Sequence, residues 1–390
     1  MMEEKPVINR DLILVGLALF TWGFGEGMFL IFQPIYLEQL GASPVLIGIV
    51  LGSMGLAMAL PQIPAGYLSD KVGARPLMIV SWTIGMLGTL IMGFTVTLPF
   101  FIVGIIFYGL ASFSVSPMNS YICSARGNLS VEKALNLVGG MFYVGAVLGP
   151  ILGGSLGERF GLRSVYQLAS IVFIISTLVT VFIRPQPVMA HHEPAPFKLS
   201  KHPRFLMIVG LFTLTMFAIY LPQPLTSAFL QNERHLSLDT IGWLATIGNL
   251  GFAVISMSLS SLDALAGLLV GQGLAGIFTL MILHGNGPIW YAIGYFLFGG
   301  YRLSRLMSLA FIHPLVKVSE IGRAYGIIET FNTISITLAP PLAGFLYSIN
   351  PNLVYSTSFG MIALLFLCNL VFLPRLRQPF SKLVSTSEPE

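Results

Sequence analysis

Long apolar stretches, each bounded by charges, proline or glycine, run the length of this 390-residue chain. They fall at about 11–35, 44–68, 76–96, 98–122, 134–157 and 164–183, then at about 204–230, 239–261, 263–284, 288–312, 323–347 and 352–373. A helix rises about 1.5 Å per residue, so about 20 apolar residues cross the hydrocarbon core of a bilayer. The pattern therefore predicts an all-α integral membrane protein with twelve transmembrane helices. Its weakest division lies between the eighth and ninth stretches, where Asp263 is the only interruption. The first stretch begins near Asp11 and passes Ile31, too long for a cleaved signal peptide, and reads as a structural helix.

Composition sharpens this picture. Charged residues make up 9% of the chain and hydrophobic residues 55%, whereas soluble domains carry about 25% charged residues. So few charges cannot cover a soluble fold, which excludes a soluble enzyme. Glycine (41) and proline (24) are abundant within the stretches, as suits membrane helices that pack closely and bend. The two cysteines, Cys123 and Cys368, lie in apolar segments and point to neither a disulfide framework nor a metal site.

Charge placement sets the expected orientation. Counting alternate loops, one side holds Lys5, Arg10, Lys71, Arg75, Arg126, Lys133, Arg184, Lys198, Lys201, Arg204, Lys317, Arg323, Arg375, Arg377 and Lys382. The other holds Arg159, Arg163 and Arg234. Positive residues concentrate on the cytoplasmic side, so both termini are expected in the cytoplasm, at the plasma membrane. The net charge of +4 is explained by topology rather than by nucleic acid.

A Pro-rich connector, RPQPVMAHHEPAPFKLSKHP (184–203), contains His191, His192 and His202 without metal-ligand spacing. It divides the chain into an N-terminal six-helix bundle (1–183), a cytoplasmic linker (184–203) and a C-terminal six-helix bundle with a short tail (204–390). The halves are similar. An offset of 190 brings Gly104 onto Gly294, Gly109 onto Gly299, Pro150 onto Pro340 and Gly154 onto Gly344. An offset of 194 brings Val15-Gly16-Leu17 onto Val209-Gly210-Leu211. Paired repeats are the build of secondary transporters, whose substrate site lies between them near the midplane.

Two motifs carry a resemblance. The loop GYLSDKVGARP (66–76) sets Asp70 beside Lys71 and Arg75, with Gly66 and Gly73 at its turns. An acid at a helix end beside basic groups can latch one conformation and release another. This string resembles the loop signature of the major facilitator superfamily, and with twelve spans and six-plus-six similarity the resemblance covers the whole chain. It implies two pseudo-symmetric six-helix bundles, alternating access and a gating role for Gly66, Asp70, Lys71, Gly73 and Arg75. The corresponding stretch of the second half, SLSSLDALAG (258–267), keeps only Asp263, so a weak latch is expected there. The run VGAVLGPILGG (144–154) is similar to the packing motif of proton-coupled antiporters in that superfamily, through Gly145, Gly149, Pro150, Gly153 and Gly154. One departure stands out: the fourth stretch has Ile105 where such exporters often carry an arginine.

Charged groups inside the helices are the remaining candidates for chemistry. A charge at the bilayer centre costs about 3 kcal/mol on insertion scales and normally faces a partner or a cavity. Glu26, Arg302, Arg305 and Glu329 are in that position. Glu26 lies about 22 Å along a helix entering from the cytoplasm, a depth suited to loading and releasing a proton. Arg305 and Glu329 fall at one depth on consecutive antiparallel helices and are expected to pair, leaving Arg302 for a substrate anion or Glu26. Tyr108 and Tyr220 join these as candidate cavity residues, among other polar groups at membrane depth: Gln33, Gln62, Asn119, Asn136, Gln223, Asn249 and Asn332.

The expected function is secondary active transport, as proton-coupled export of a small organic solute. Import of a sugar or organic acid by symport or uniport is the alternative, and a non-transporting receptor or scaffold is the alternative from another class. An enzyme is not expected: no HExxH or phosphate loop is present. The expected partners are the substrate, protons and lipid, with a monomer as the working form and no cofactor or metal.

Overall fold

The computed structural model describes residues 9–186, 203–317 and 320–377, less the side chains at 63, 66, 67 and 70. The described residues are helical, with no strand among them. Helix α1 (Arg10–Phe29) passes through a 3-10 turn (Leu30–Phe32) into α2 (Gln33–Gln39), and α3 (Pro44–Ala59) leads to α4 (Gln62–Val72). There follow α5 (Ala74–Phe94), α6 (Leu98–Leu110), a 3-10 turn (Ala111–Ser114), α7 (Val115–Ala125), α8 (Val131–Phe160) and α9 (Leu162–Val181). The second half repeats this order with α10 (Pro203–Tyr220), α11 (Thr226–Asn232), α12 (Leu238–Ser258) and α13 (Ala264–His284). It ends with α14 (Pro288–Leu297), α15 (Gly299–Ile312), α16 (Ile321–Ile349) and α17 (Pro351–Leu376).

Among the described residues, 9 helices are long and apolar enough to cross a membrane. The other three predicted stretches are also helical but fall short for physical reasons. Leu60 and Pro61 separate α3 from α4, Phe298 separates α14 from α15, and α16 is diluted by Arg323, Glu329, Asn332 and two prolines. Sharp turns between spans use glycine where the backbone demands it. Gly73 joins α4 to α5 at φ 84° and Gly161 joins α8 to α9 at φ 82°, a region that side chains with a Cβ rarely adopt.

Contacts sort the chain into two compact units. The first draws on 1–42, 53–193 and 230–246, the second on 43–52, 194–229 and 247–390. In the first, α1 packs on α8 and α9 while α5 packs on α9 and α6. In the second, α10 packs on α16 and α17 while α13 packs on α17, α14 and α15. The repeated glycines and prolines thus reflect one packing scheme used twice.

Each unit has its own core. Leu12, Val15 and Leu19 of α1 meet Met78, Trp82 and Ile122 in the first; Phe205, Ile208, Val209 and Phe212 meet Leu268, Leu303 and Ile328 in the second. These residues recur at helical spacing on one face. Lipid tails compete equally well for apolar surface, so hydrogen bonds between helices add specificity. In the first unit Trp82 Nε1 donates to Ser176 Oγ at 3.0 Å, and Ser176 Oγ donates to the Ala18 carbonyl at 2.7 Å. In the second, Asn369 Nδ2 donates to Thr215 Oγ1 at 2.9 Å and to Gln272 Oε1 at 3.0 Å. The same three helices of each half are tied together at the same level.

The start of the connector is tethered. Arg184 N donates to Asp11 Oδ1 at 3.2 Å, and Tyr121 OH donates to the Arg184 carbonyl at 2.7 Å. His191, His192 and His202 lie outside the described residues.

Candidate functional site

In the first unit the geometry centres on Glu26, in the last turns of α1. Trp22 lies one turn earlier, and its Nε1 donates to Glu26 Oε2 at 3.2 Å. Tyr108, near the end of α6, donates its hydroxyl to the same oxygen at 2.6 Å. The indole is fixed by Trp82 and Phe173, edge-on at 5.1 and 4.6 Å, and by the stacked ring of Tyr108 at 5.9 Å. Room for the indole comes from Gly85, where a Cβ would strike the Trp22 ring, and room for Phe173 from Gly25, where a Cβ would lie 2.7 Å from Phe173 Cε2. The carboxylate is thus held by neutral donors within an aromatic box, with no ion pair at Glu26 among the described residues.

In the second unit Arg305 of α15 grips Glu329 of α16. Nε donates to Oε1 at 3.2 Å and to Oε2 at 3.1 Å, and a terminal guanidinium nitrogen donates to Oε2 as well. This is the pairing that antiparallel register led us to expect. It differs in being more open: the two side chains are 39% and 33% exposed, so the pair is not sealed in the core. One turn before Arg305, Tyr301 stacks on Phe298 at 5.6 Å and lies beside Tyr220 at 5.9 Å. Arg302 is partly buried on the same helix. Asn332, one turn past Glu329, is 2% exposed, and neither its Nδ2 nor its Oδ1 has a hydrogen-bond partner.

The loop read as 66–76 is mostly helix. α4 continues through Lys71 to Val72 before Gly73, at φ 84°, reverses the chain. The side chains at Gly66 and Asp70 lie outside the described residues. Arg75 donates Nε to the Ile183 carbonyl at 2.7 Å and a terminal nitrogen to the Val181 carbonyl at 3.1 Å. It satisfies carbonyls at the end of α9 that the helix leaves without partners. In the second half the corresponding stretch makes an exposed ion pair. Asp263 caps α13 by accepting from Leu265 N at 3.1 Å, and it accepts from both terminal nitrogens of Arg377, just past α17. The guanidinium holds the Asp263 carboxyl below its ordinary range. α5 and α9 are therefore joined by a cation on the first helix, and α13 and α17 by a cation beyond the second.

The glycine–proline run of α8 is a packing surface. A Cβ at Gly145, Gly149 or Gly153 would strike the carbonyl oxygen of Phe20, Phe24 or Met28 in turn, and one at Gly154 would strike that of Leu238. Pro150 lacks the N–H that would reach back one turn. Thr246 Oγ1 donates to the Val147 carbonyl at 2.8 Å, one residue after Ala146, whose carbonyl the missing Pro150 N–H would have reached.

Sequence reasoning singled out Glu26, Tyr108, Tyr220, Arg302, Arg305 and Glu329 and passed over Trp22 and Tyr301, which the structure sets against Glu26 and Tyr220. Each lies four residues before a charged residue, and that one-turn spacing was the available signal. The structure brings Tyr108 to Glu26, and Arg305 to Glu329; Tyr220 comes to Tyr301, which had not been anticipated.

Comparison with known proteins agrees with this architecture. The chain is 24% identical over 339 residues to "Uncharacterized MFS-type transporter MJ1560" of Methanocaldococcus jannaschii, covering 84% of this chain and 82% of that protein. It is 28% identical over 282 residues to multidrug resistance protein MdtG of Escherichia fergusonii, covering 68% and 66%. The crystal structure of nucleoside transporter NupG superposes with a TM-score of 0.81 at 13% identity, covering 93% and 98%, a likeness of fold. The sequence profile described as Major Facilitator Superfamily matches residues 15–299 and 208–389, between them nearly the whole chain. Repeated helix pairings, paired glycine–proline helices and this match lead to one conclusion: the chain is a multi-pass membrane protein of the Major Facilitator Superfamily, a family of transporters and not of enzymes.

Proposed function

We propose that this protein exports a small organic solute in exchange for protons by alternating access, with Glu26 as the proton carrier. The observation that carries the reading is the contrast between the two membrane carboxylates. Glu329 is bound to a guanidinium, and protonating it would break an ion pair. Glu26 is bound to a phenol and an indole, donors that can hold either form of the carboxyl with only a local rearrangement. A group that must gain and lose a proton in every cycle is better served by the second arrangement. Arg302, Arg305, Tyr220 and Tyr301 form the polar lining for the solute.

Export is favoured by the relative MdtG, a multidrug resistance protein by name, and by the glycine–proline run of α8. The charge asymmetry supports a plasma-membrane protein with both termini in the cytoplasm, and we take the monomer as the working form. Gly66, Asp70, Lys71, Gly73 and Arg75 are proposed as the cytoplasmic gating element.

The test uses purified protein in liposomes and a panel of cationic, neutral and anionic fluorescent compounds. A pH gradient should drive accumulation of one charge class. Glu26→Gln should abolish the gradient's effect while leaving exchange of that compound across the membrane. Gradient-driven flux in Glu26→Gln equal to the parent's would place the proton elsewhere. Flux that ignores the gradient in the parent would favour uniport, and no flux of any compound would favour a scaffold.

A further inference from the structure

We propose that Gln33 and Tyr166 hold a buried water site inside the first unit, and that this site relays the proton between Glu26 and the membrane face at the end of α2. The inference rests on the reading of Glu26 as proton carrier and names a route for its proton that is separate from the solute's. Gln33 opens α2 directly after the 3-10 turn. It is 1% exposed, and its Nε2 has no hydrogen-bond partner. Tyr166 of α9 is also 1% exposed, and its hydroxyl has no partner either.

These two groups belong to one seam. The Tyr166 ring lies 5.3 Å from that of Phe29 and 5.0 Å from that of Tyr36. Gln33 lies four residues after Phe29, across the 3-10 turn, and three before Tyr36, and from that spacing we place its amide on the side of α2 that carries Tyr36. Polar groups buried at membrane depth are almost always satisfied, and where protein offers no partner a bound water does so. A water here accepts from the Gln33 amide and exchanges a hydrogen bond with the Tyr166 hydroxyl. Water and a phenol each donate and accept, so a proton entering on one side can leave on the other with no net change in either.

The position suits a relay. Gln33 is seven residues beyond Glu26, about 10 Å along the helix axis. Between them stands Phe29, fully buried, whose ring lies 5.3 Å from that of Tyr108 and 5.3 Å from that of Tyr166. Tyr108 is the donor to Glu26. The order from the carboxyl outward is therefore Glu26, Tyr108, Phe29, then Tyr166 with Gln33, then Tyr36. The apolar step at Phe29 keeps carboxyl and water site apart until the ring moves, which prevents a standing proton leak.

The ionisable groups that face this route come from the elements packed around it. α2 contributes Tyr36, stacked on Tyr166, and Glu38, which accepts from Asn232 Nδ2 at 2.8 Å. α6 contributes Tyr108, and α9 begins with Arg163, which donates to the Phe94 carbonyl at 3.4 Å and lies near enough for its charge to act on Tyr36. α8 ends in Glu158, which accepts from Leu238 N at 2.7 Å, and Arg159. α5 meets Tyr166 through Gly93, where a Cβ would lie 3.0 Å from the Tyr166 carbonyl oxygen, and has no ionisable residue in that half.

The experiment follows the infrared band of the protonated carboxyl in full-length protein in lipid vesicles after a pH jump, with Glu26→Gln used to assign it. Tyr166→Phe keeps the stacked ring and Gln33→Met keeps the volume, so both variants should fold. Each is expected to retain the amplitude of the Glu26 band and to slow its rise and decay at least tenfold. Tyr166→Phe should not raise the melting temperature, because removing the hydroxyl strands the water. Parent-like rates in both variants overturn the relay. So does a higher melting temperature for Tyr166→Phe, which would mark a dry hydroxyl. If Glu26→Gln removes no band, the carrier reading itself fails, and the relay with it.

Discussion

The membrane charges meet two different environments, and the difference is a matter of single atoms. Glu26 has one oxygen shared by an indole and a phenol, whereas Glu329 uses both oxygens on one guanidinium. Fork-on-carboxylate geometry is among the stronger hydrogen-bonding arrangements in proteins. Stranding a sealed arginine would cost about 3–5 kcal/mol. This pair is about a third exposed, so Glu329→Gln is expected to cost nearer the 1.5–3 kcal/mol typical of charged hydrogen bonds. A double-mutant cycle with Arg305→Met, read by denaturation in detergent, should give a coupling energy of at least about 1 kcal/mol. A cycle that closes to zero would remove the ion pair from any account of the fold. The pairing was legible because residue counts along two consecutive antiparallel helices fix depth. Its openness was not, since exposure depends on helices far away in sequence. Trp22 and Tyr301 went unread for the same reason: aromatic residues are common in these helices, and only tertiary packing turns one toward a charge.

At the scale of helices, the apolar period located each stretch, and local chemistry broke some of them. Leu60–Pro61 and the 3-10 turns at Leu30–Phe32 and Ala111–Ser114 interrupt stretches whose hydropathy is continuous, so a hydropathy pattern cannot register them. The tie between α13 and α17 escaped notice because its cation, Arg377, lies more than a hundred residues from Asp263. The glycines of α8 show how position decides the meaning of one residue type. A Cβ at Gly149 would strike the Phe24 carbonyl, while one at Gly139 or Gly140 meets nothing within 4 Å. Gly149→Ala should therefore push α1 and α8 apart and destabilise by about 1–3 kcal/mol, as overpacking does. Gly140→Ala should stabilise by about 0.5–1 kcal/mol, because alanine restricts the unfolded chain and favours helix. Melting temperatures of the two variants in one detergent should move in opposite directions. Equal shifts would mean that α8 does not approach α1 as closely as its glycines require.

For the whole molecule, the two compact units do not follow the midpoint of the chain. Residues 230–246 join the first unit and residues 43–52 join the second, so each unit is completed by a segment from the opposite half. The contacts are specific. In the first unit a Cβ at Gly242 would strike the Pro150 carbonyl, Glu158 accepts from Leu238 N at 2.7 Å, and Asn232 Nδ2 donates to Glu38 at 2.8 Å. In the second, a Cβ at Gly48 would strike the Pro340 carbonyl and one at Gly344 that of Pro44. The equivalence of Pro150 with Pro340 and Gly154 with Gly344, visible as a constant offset in the sequence, is thus an equivalence of two crossings. The exchange itself was not visible, because an offset relates each residue to its copy and not to its neighbour. If the exchanged segments bind as drawn, the peptide connection between 193 and 194 is dispensable. Fragments 1–193 and 194–390, co-expressed in one membrane with a tag on the first, should copurify in equal amounts. Gly242→Leu in the second fragment should strike at the first crossing, and Gly48→Leu in the first fragment at the second. Each overpacked crossing loses about 1–3 kcal/mol, which lowers recovery of the untagged fragment by about fivefold or more. Gly210→Leu, whose Cβ would meet nothing within 4 Å, controls for insertion and should leave recovery unchanged. Fragments that insert and fold but do not associate would show that the exchanged segments do not bind, and that only the connector keeps the two halves together.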